Sequence, residues 1–159
     1  MEVRTAHRRD LAEIGRLAHE VWWEAYAGLV TTETINRALD ANYSPAVLAE
    51  RLLKHYCFMA VRESETVGFA EGVPSDDRIV LETLYCREGG DLDVGKHLID
   101  RMHDLAPDLP MCSDVILGHL AAESFFESMG FAPGEVIEEQ LEGEDVVRRR
   151  WWLPVGSPQ

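Results

Sequence analysis

The chain has 159 residues, enough for one domain with a substantial core. Hydrophobic residues make up 46% and charged residues 28%, the balance of a soluble globular protein, and no apolar run approaches a membrane span. The formal net charge of −14 excludes nucleic acid and anionic membranes as partners, because the field of the whole molecule repels phosphate.

The positive charge is carried by thirteen arginines and two lysines, Lys54 and Lys96. Few lysines beside many carboxylates suit a cytoplasm of high salt, where a Debye length of about 3 Å at molar ionic strength screens self-repulsion. An ordinary acidic protein from a GC-rich genome has the same composition. The N-terminus Met1-Glu-Val-Arg4 lacks a signal-peptide apolar region. Cys57, Cys86 and Cys112 are widely spaced in apolar stretches, so reduced thiols in a cytoplasmic protein are expected. Neither they nor the six histidines have metal-ligand spacing, and no metal is expected.

In chain order, Glu2 to Ala6 suits a short first strand. Asp10-Leu-Ala-Glu13 has the form of a capping box with Asp10 at the N-cap. Leu11, Ile14, Leu17, Ala18, Val21, Trp22 and Ala25 then form a helical stripe. Trp22, Trp23 and Tyr26 fall on different faces of that helix, and either wall a substrate site or pack against the next helix. Thr31 or Thr32 caps a second helix through Leu39. Ser44-Pro45 starts a third, with serine at the N-cap and proline at N1, that runs on through His55. Cys57–Val61 is an apolar strand, Glu63–Thr66 a turn, and Val67–Val73 the hairpin partner.

Residues 78–102 organise the chain. Arg78–Cys86 is an apolar, β-branched run broken by Glu82 and Thr83, which predicts a strand inside the sheet. Arg87–Asp93, with adjacent glycines and two aspartates, predicts a loop. Val94, Leu98, Ile99, Met102 and Leu105 then form a helical stripe that Pro107 stops. A strand, a glycine loop and a helix N-terminus form an anion site, because the first helical N–H groups lack internal partners.

Met111–Leu117 is a further strand, ended by Gly118. His119–Met129 reads as a helix with Leu120, Ala121, Phe125 and Met129 inward and Gly130 as its C-terminal glycine. Glu135–Leu141 and Val146–Leu153 form a last hairpin through Glu142-Gly143. Arg148, Arg149 and Arg150 face a strand bearing Glu135, Glu138 and Glu139, so cross-strand pairing accounts for them. Pro154–Gln159 is expected to be a frayed tail. The whole order predicts one α/β (α+β) domain over residues 1–159, with a mixed central sheet of about six to seven strands flanked by helices.

An ordered set of motifs resembles the GNAT superfamily of N-acetyltransferases over nearly the whole chain. Arg4-Thr-Ala6 with Asp10 and Ile14 resembles the opening strand and helix of that family, and Trp23-Glu-Ala-Tyr26-Ala-Gly28-Leu29 the segment joining its first two helices. Leu84-Tyr85-Cys86 resembles the end of its fourth strand, and Val94-Gly95-Lys96-His97-Leu98 the start of its pyrophosphate-binding helix. Val115, His119, Ala122, Phe125, Phe126, Glu127, Gly130 and Phe131 fit the pattern Val, Asn, Ala, Phe-Tyr-Glu, Gly-Phe.

The resemblance implies acetyl transfer from acetyl-CoA, as co-substrate, to a primary amine of a small molecule or peptide. It places the pyrophosphate on the backbone of Leu92, Asp93, Val94, Gly95 and Lys96. The acyl carbonyl lies near Leu84, Tyr85 and Cys86, with His119 and Phe126 beside the cofactor. A homodimer is left open. Glu82, the only carboxylate of the central strand, is the candidate base: it either faces the cleft, where desolvation raises its pKa, or lies solvated on the open face of the sheet.

The sequence also departs from the family. Of the usual Gln/Arg-x-x-Gly-x-Gly/Ala loop only Gly95 is kept, and Asp93 stands where a glycine lets the backbone approach phosphate. Asp93 is also expected to be the N-cap of the helix that follows. Phe126 replaces the usual tyrosine acid and His119 an asparagine. These departures sustain an alternative, a GNAT-like binding or regulatory module with impaired catalysis. Lys96 fits a helix-surface role, His97, His103 and His119 fit surface or satisfied histidines rather than catalytic ones, and Cys86, within a strand, is not expected to be a nucleophile.

Overall fold

The computed structural model describes residues 1–87 and 92–155. Its elements are β1 (Glu2–Thr5), a 3-10 turn (Arg8–Asp10), α1 (Leu11–Tyr26), α2 (Thr32–Asn42), α3 (Pro45–Lys54), β2 (Tyr56–Arg62), β3 (Glu65–Pro74), β4 (Ile79–Cys86), α4 (Leu92–His103), β5 (Met111–Ile116), α5 (Leu120–Ser128), β6 (Ala132–Leu141) and β7 (Glu144–Leu153). This is the expected order with small shifts at the boundaries. The core of the expected glycine loop, residues 88–91, and the end of the tail, residues 156–159, lie outside the described residues.

The sheet runs β1-β2-β3-β4-β5-β7-β6. Every neighbouring pair is antiparallel except β4 and β5. Helices cover both faces. Along β2, Cys57 and Met59 join the core under α1–α3, while Phe58 and Ala60 join the core under α4 and α5. A strand buried on both faces reads as a continuous apolar run, which is why β2 was legible. α2 and α3 start where their caps predict: Thr31 Oγ1 accepts from the Thr34 N–H at 3.1 Å, and Ser44 Oγ from that of Val47 at 3.4 Å. The β6–β7 hairpin turns on Glu142 and Gly143, both at positive φ. Its far strand is tied to the start of α2, because the Glu144 carboxylate accepts from the Thr31 N–H and from both threonine hydroxyls, Thr31 and Thr34.

Several expectations are corrected. Asp10 stands at the N-cap of α1 as expected, but its carboxylate makes no cap bond there; it closes the 3-10 turn, accepting from the His7 N–H at 2.8 Å and from the Arg4 guanidinium at 2.8 and 2.9 Å. Two charge-assisted bonds and a backbone donor outweigh a single cap bond. Leu92 and Asp93 are helical residues in the first turn of α4, so Asp93 is not an N-cap ahead of it. Leu120 is 72% exposed and Ala121 is exposed too; α5 instead turns Ala122, Phe125 and Phe126 inward, because the two rings offer the larger apolar area. Arg148 pairs with Glu139 on β6, but Arg150 pairs with Asp114 on β5, at 2.8 and 3.0 Å, and Arg149 donates to the Gly134 carbonyl. β7 lies inside the sheet, so its arginines find partners on both sides.

Glycines let α4 approach the sheet. A Cβ at Gly68 would lie 2.6 Å from Val94 Cγ1, and one at Gly72 would lie 2.4 Å from Met102 Sδ. The two bare patches of β3 receive the inward stripe of the helix.

Candidate active site

β4 and β5 pair only at Ile79–Met111 and Val80–Cys112, followed by a Ser113 hydroxyl bond to the Leu81 carbonyl at 3.0 Å. Beyond that point the strands part. On the other side of β4, Gly72 opposes Leu81 and Glu71 opposes Thr83, which leaves Glu82 as the extra residue of a bulge. A bulge bends its strand and re-aims a side chain, and this one sits at the apex of the gap.

A cleft opens there in two lobes. The apolar lobe, about 270 Å3, is lined by Val21, Leu84, Cys86, Ala122, Phe125 and Phe126 among others. The polar lobe, about 440 Å3, is lined by Tyr26, Arg51, Glu71, Glu82, Asp114 and Arg148 among others. Val21, Ala25, Leu84, His119, Ala122 and Phe126 line both, so the lobes are continuous.

The polar lobe has a fixed wall. Glu71, 2% exposed, takes the Arg51 guanidinium on both oxygens, His55 Nδ1 at 2.6 Å and the Thr83 hydroxyl at 3.2 Å. Burial alone pushes its carboxyl up, but the hydrogen bonds from Arg51 and His55 outweigh it and hold Glu71 below its ordinary value. Glu82 has no ion pair among the described residues, and its pKa is raised, first by burial and then by the like charge of Glu71. It keeps access to water, so it can exchange a proton with solvent. Behind them the Tyr85 hydroxyl accepts from Trp22 Nε1 at 2.6 Å and shares a hydrogen bond with the Tyr43 hydroxyl. Burial raises Tyr85 well above 10, so it stays a neutral phenol.

The structure brings Glu82, Leu84, Tyr85, Cys86, His119 and Phe126 to this cleft. Leu92, Asp93, Val94, Gly95 and Lys96 line neither lobe. They form the first turns of α4: Val94 and Gly95 are buried, the Asp93 carboxylate lies 3.6 Å from Arg62 and 3.4 Å from His97, and the Lys96 ammonium is held by Asp100 at 2.8 Å. Trp22 is buried and Trp23 is 36% exposed, and both Trp22 and Tyr26 line the polar lobe. Sequence reading missed Tyr43, Arg51, His55 and Glu71. The only signal was a glutamate between Ala70 and Gly72 in an apolar strand, a position that needs a buried partner. Among the described residues no group of three or more His, Cys, Asp or Glu side chains can hold a metal ion. No described helix is long and apolar enough to cross a membrane.

No protein-family model matches the sequence, and no curated protein matches it. Solved structures do. The PaiA N-acetyltransferase of Thermoplasma acidophilum in complex with coenzyme A superposes with a TM-score of 0.77 at 22% identity, over 93% of this chain and 96% of that one. A GCN5-related N-acetyltransferase from Rhodopseudomonas palustris gives 0.78 at 22% identity, over 96% and 94%. The putative acetyltransferase YncA of Salmonella typhimurium with acetyl-CoA gives 0.65 at 16% identity, over 99% and 95%. With its mixed seven-stranded sheet, bulged fourth strand and parting of β4 from β5, the chain has the fold of the GNAT N-acetyltransferases.

Proposed function

We propose that this protein is an acetyltransferase that moves the acetyl group of acetyl-CoA to a primary amine of a small molecule or peptide. The observation that carries this reading is Glu82 on the β4 bulge, where an apolar lobe meets a polar one at the gap between β4 and β5. The apolar lobe suits the pantetheine arm and thioester, which lie along Leu84, Tyr85 and Cys86. The polar lobe suits the acceptor. Glu82 takes a proton from the incoming ammonium, and its raised pKa brings it nearer the operating pH, as a general base requires. The freed amine attacks the thioester carbonyl, and the coenzyme leaves as a thiol. The pyrophosphate meets the N-terminal turn of α4, Leu92 to Lys96, where helix N–H groups favour an anion.

One observation favours the alternative of a binding or regulatory module. The Asp93 carboxylate stands in that first turn and opposes a phosphate by like charge. Calorimetric titration with acetyl-CoA in molar potassium chloride, followed by thiol release with a panel of amines, decides between them. A Kd of about 1 μM, near −8 kcal/mol, with turnover is the expected result. No binding at millimolar ligand overturns the acetyltransferase reading in favour of the module.

A further inference from the structure

Acetyl transfer to an amine moves two protons, and Glu82 accounts for one. After attack the new nitrogen is still cationic, and the departing sulfur needs a proton. Phe126, 5% exposed and packed edge-on against Phe125 and Phe131 at 5.4 and 4.9 Å between centroids, offers none. His119 stands at the junction of the two lobes and lines both. Its backbone is fixed at the head of α5: the His119 N–H donates to the Ile116 carbonyl at 3.1 Å, and its own carbonyl accepts from the Glu123 N–H at 3.1 Å. Its ring meets the Tyr26 ring edge-on at 5.7 Å. Neither ring nitrogen has a hydrogen-bond partner among the described residues. A half-buried imidazole that lines the cleft and has no hydrogen bond to spend its nitrogens on is a group available to substrate.

We propose that His119 is a catalytic residue that carries a proton from the newly bonded nitrogen to the departing sulfur. The inference rests on the acetyltransferase reading. The steps balance. Glu82 takes the first proton from the ammonium and releases it to water. The amine lone pair bonds the carbonyl carbon, giving a tetrahedral adduct with a cationic N–H. One nitrogen of His119 takes that proton. As the C–S bond breaks, the electron pair goes to sulfur, and the imidazolium gives its proton to the thiolate. The products are amide and thiol, and His119 ends neutral as it began.

The resting state suits the role. Burial lowers the pKa of His119, and Glu123 on its own helix offsets this only in part, so the ring is a neutral acceptor at neutral pH. The other charged or titratable groups lining the cleft are Glu24 and Tyr26 from α1, Tyr43 after α2, Arg51 and His55 from α3 and its C-cap, Glu71 from β3, Glu82, Tyr85 and Cys86 from β4, Asp114 from β5, Glu139 from β6 and Arg148 from β7. Tyr26 is a neutral phenol that lines the polar lobe and not the apolar one.

The test is kcat at saturating substrates across pH for the unaltered protein and for His119→Gln, Glu82→Gln, Tyr26→Phe and His119→Gln/Phe126→Tyr. His119→Gln is expected to lower kcat about 10²-fold, within the usual reach of general acid–base catalysis, with little change in the Kd for coenzyme A. The unaltered enzyme should lose kcat as pH falls through the His119 pKa. Glu82 must start unprotonated too and sets an acidic limb of its own, so His119→Gln should keep only the limb that Glu82→Gln removes, whereas Tyr26→Phe should keep both. Restoring the phenol beside the sulfur in the double variant should recover much of the rate. Unchanged kcat in His119→Gln, a loss confined to coenzyme A affinity, or loss of the His119 limb in Tyr26→Phe overturns the proposal. Coenzyme A binding without turnover in the unaltered protein removes the shuttle and leaves a binding protein, whereas no binding removes the acetyltransferase reading itself.

Discussion

Glu71 and Glu82 line the same lobe and titrate in opposite directions, and their partners make the difference. Glu71 meets a bidentate guanidinium, an imidazole and a hydroxyl, so its charge is favoured despite burial. Glu82 meets none of these and is held nearer its neutral form. Removing one partner of a buried pair costs about 3–5 kcal/mol, because the other charge stays buried. Glu71→Gln keeps the volume, so a loss near 3 kcal/mol is expected in urea unfolding at pH 7. The pH dependence has a definite sign. The folded value of Glu71 lies below its ordinary 4.5, so its contribution is present above that value and is lost as pH falls through the folded one. Stability plotted from pH 5 downward should therefore fall less steeply in Glu71→Gln than in the unaltered protein. Equal slopes would mean that the pair does not set the acid limit. Glu82 could be singled out in the sequence because one carboxylate in an apolar strand needs a reason. Its orientation could not, since a bulge is a register event between β3 and β4 that neither strand shows alone. Glu71 escaped notice because Arg51 and His55 come from α3 and its C-cap, and only tertiary folding brings them to it.

At the scale of elements, α4 is held by close approaches that only bare backbone permits. Its start was legible as a pattern around Gly95, which the resemblance reads as the kept glycine of a pyrophosphate-binding loop and helix. The fold adds a second constraint: a Cβ at Gly95 would lie 2.3 Å from Phe125 Cζ and 2.5 Å from Cε2. Phe125 is buried on α5, stacks edge-on against Phe126 and lines the apolar lobe, so it cannot swing aside freely. Gly95→Ala gains about 0.8–1.0 kcal/mol in helix propensity. Overpacking a well-filled contact costs about 1–3 kcal/mol, which exceeds that gain at most of its range. The expected outcome is a lower urea midpoint with an unchanged m-value, together with weaker coenzyme A binding as the ring is pushed toward the lobe. A raised midpoint would show that α5 gives way without cost. Helix-to-helix contacts of this kind have no period in the sequence, which is why the glycine was visible and its neighbour was not.

For the whole molecule, element order was readable because each apolar run and cap is local, whereas strand order was not. The last hairpin can dock on β5 by either of its strands, and it docks by β7, where Asp114 meets Arg150. Charge acts at this scale too. Fifteen Lys and Arg face 29 Asp and Glu, so the carboxylates outnumber the cations by 14. Salt has two opposing effects. It weakens exposed pairs such as Lys54–Glu50, Lys96–Asp100 and Arg37–Glu33, each of which contributes little because solvent screens it. It also screens the repulsion of a net charge of −14, which acts between many carboxylates at once and opposes the compact state. The second effect is the larger, since exposed pairs are few and individually weak. Tm should therefore rise between about 0.1 M and 1 M potassium chloride, as the Debye length falls from about 10 Å to 3 Å. The comparison that isolates charge is the same titration near the pI of about 4.7, where the net repulsion is gone and the rise should shrink. A flat curve at pH 7 would remove high salt as the setting for this composition, and an equal rise at both pH values would assign the gain to the salting-out of apolar surface instead.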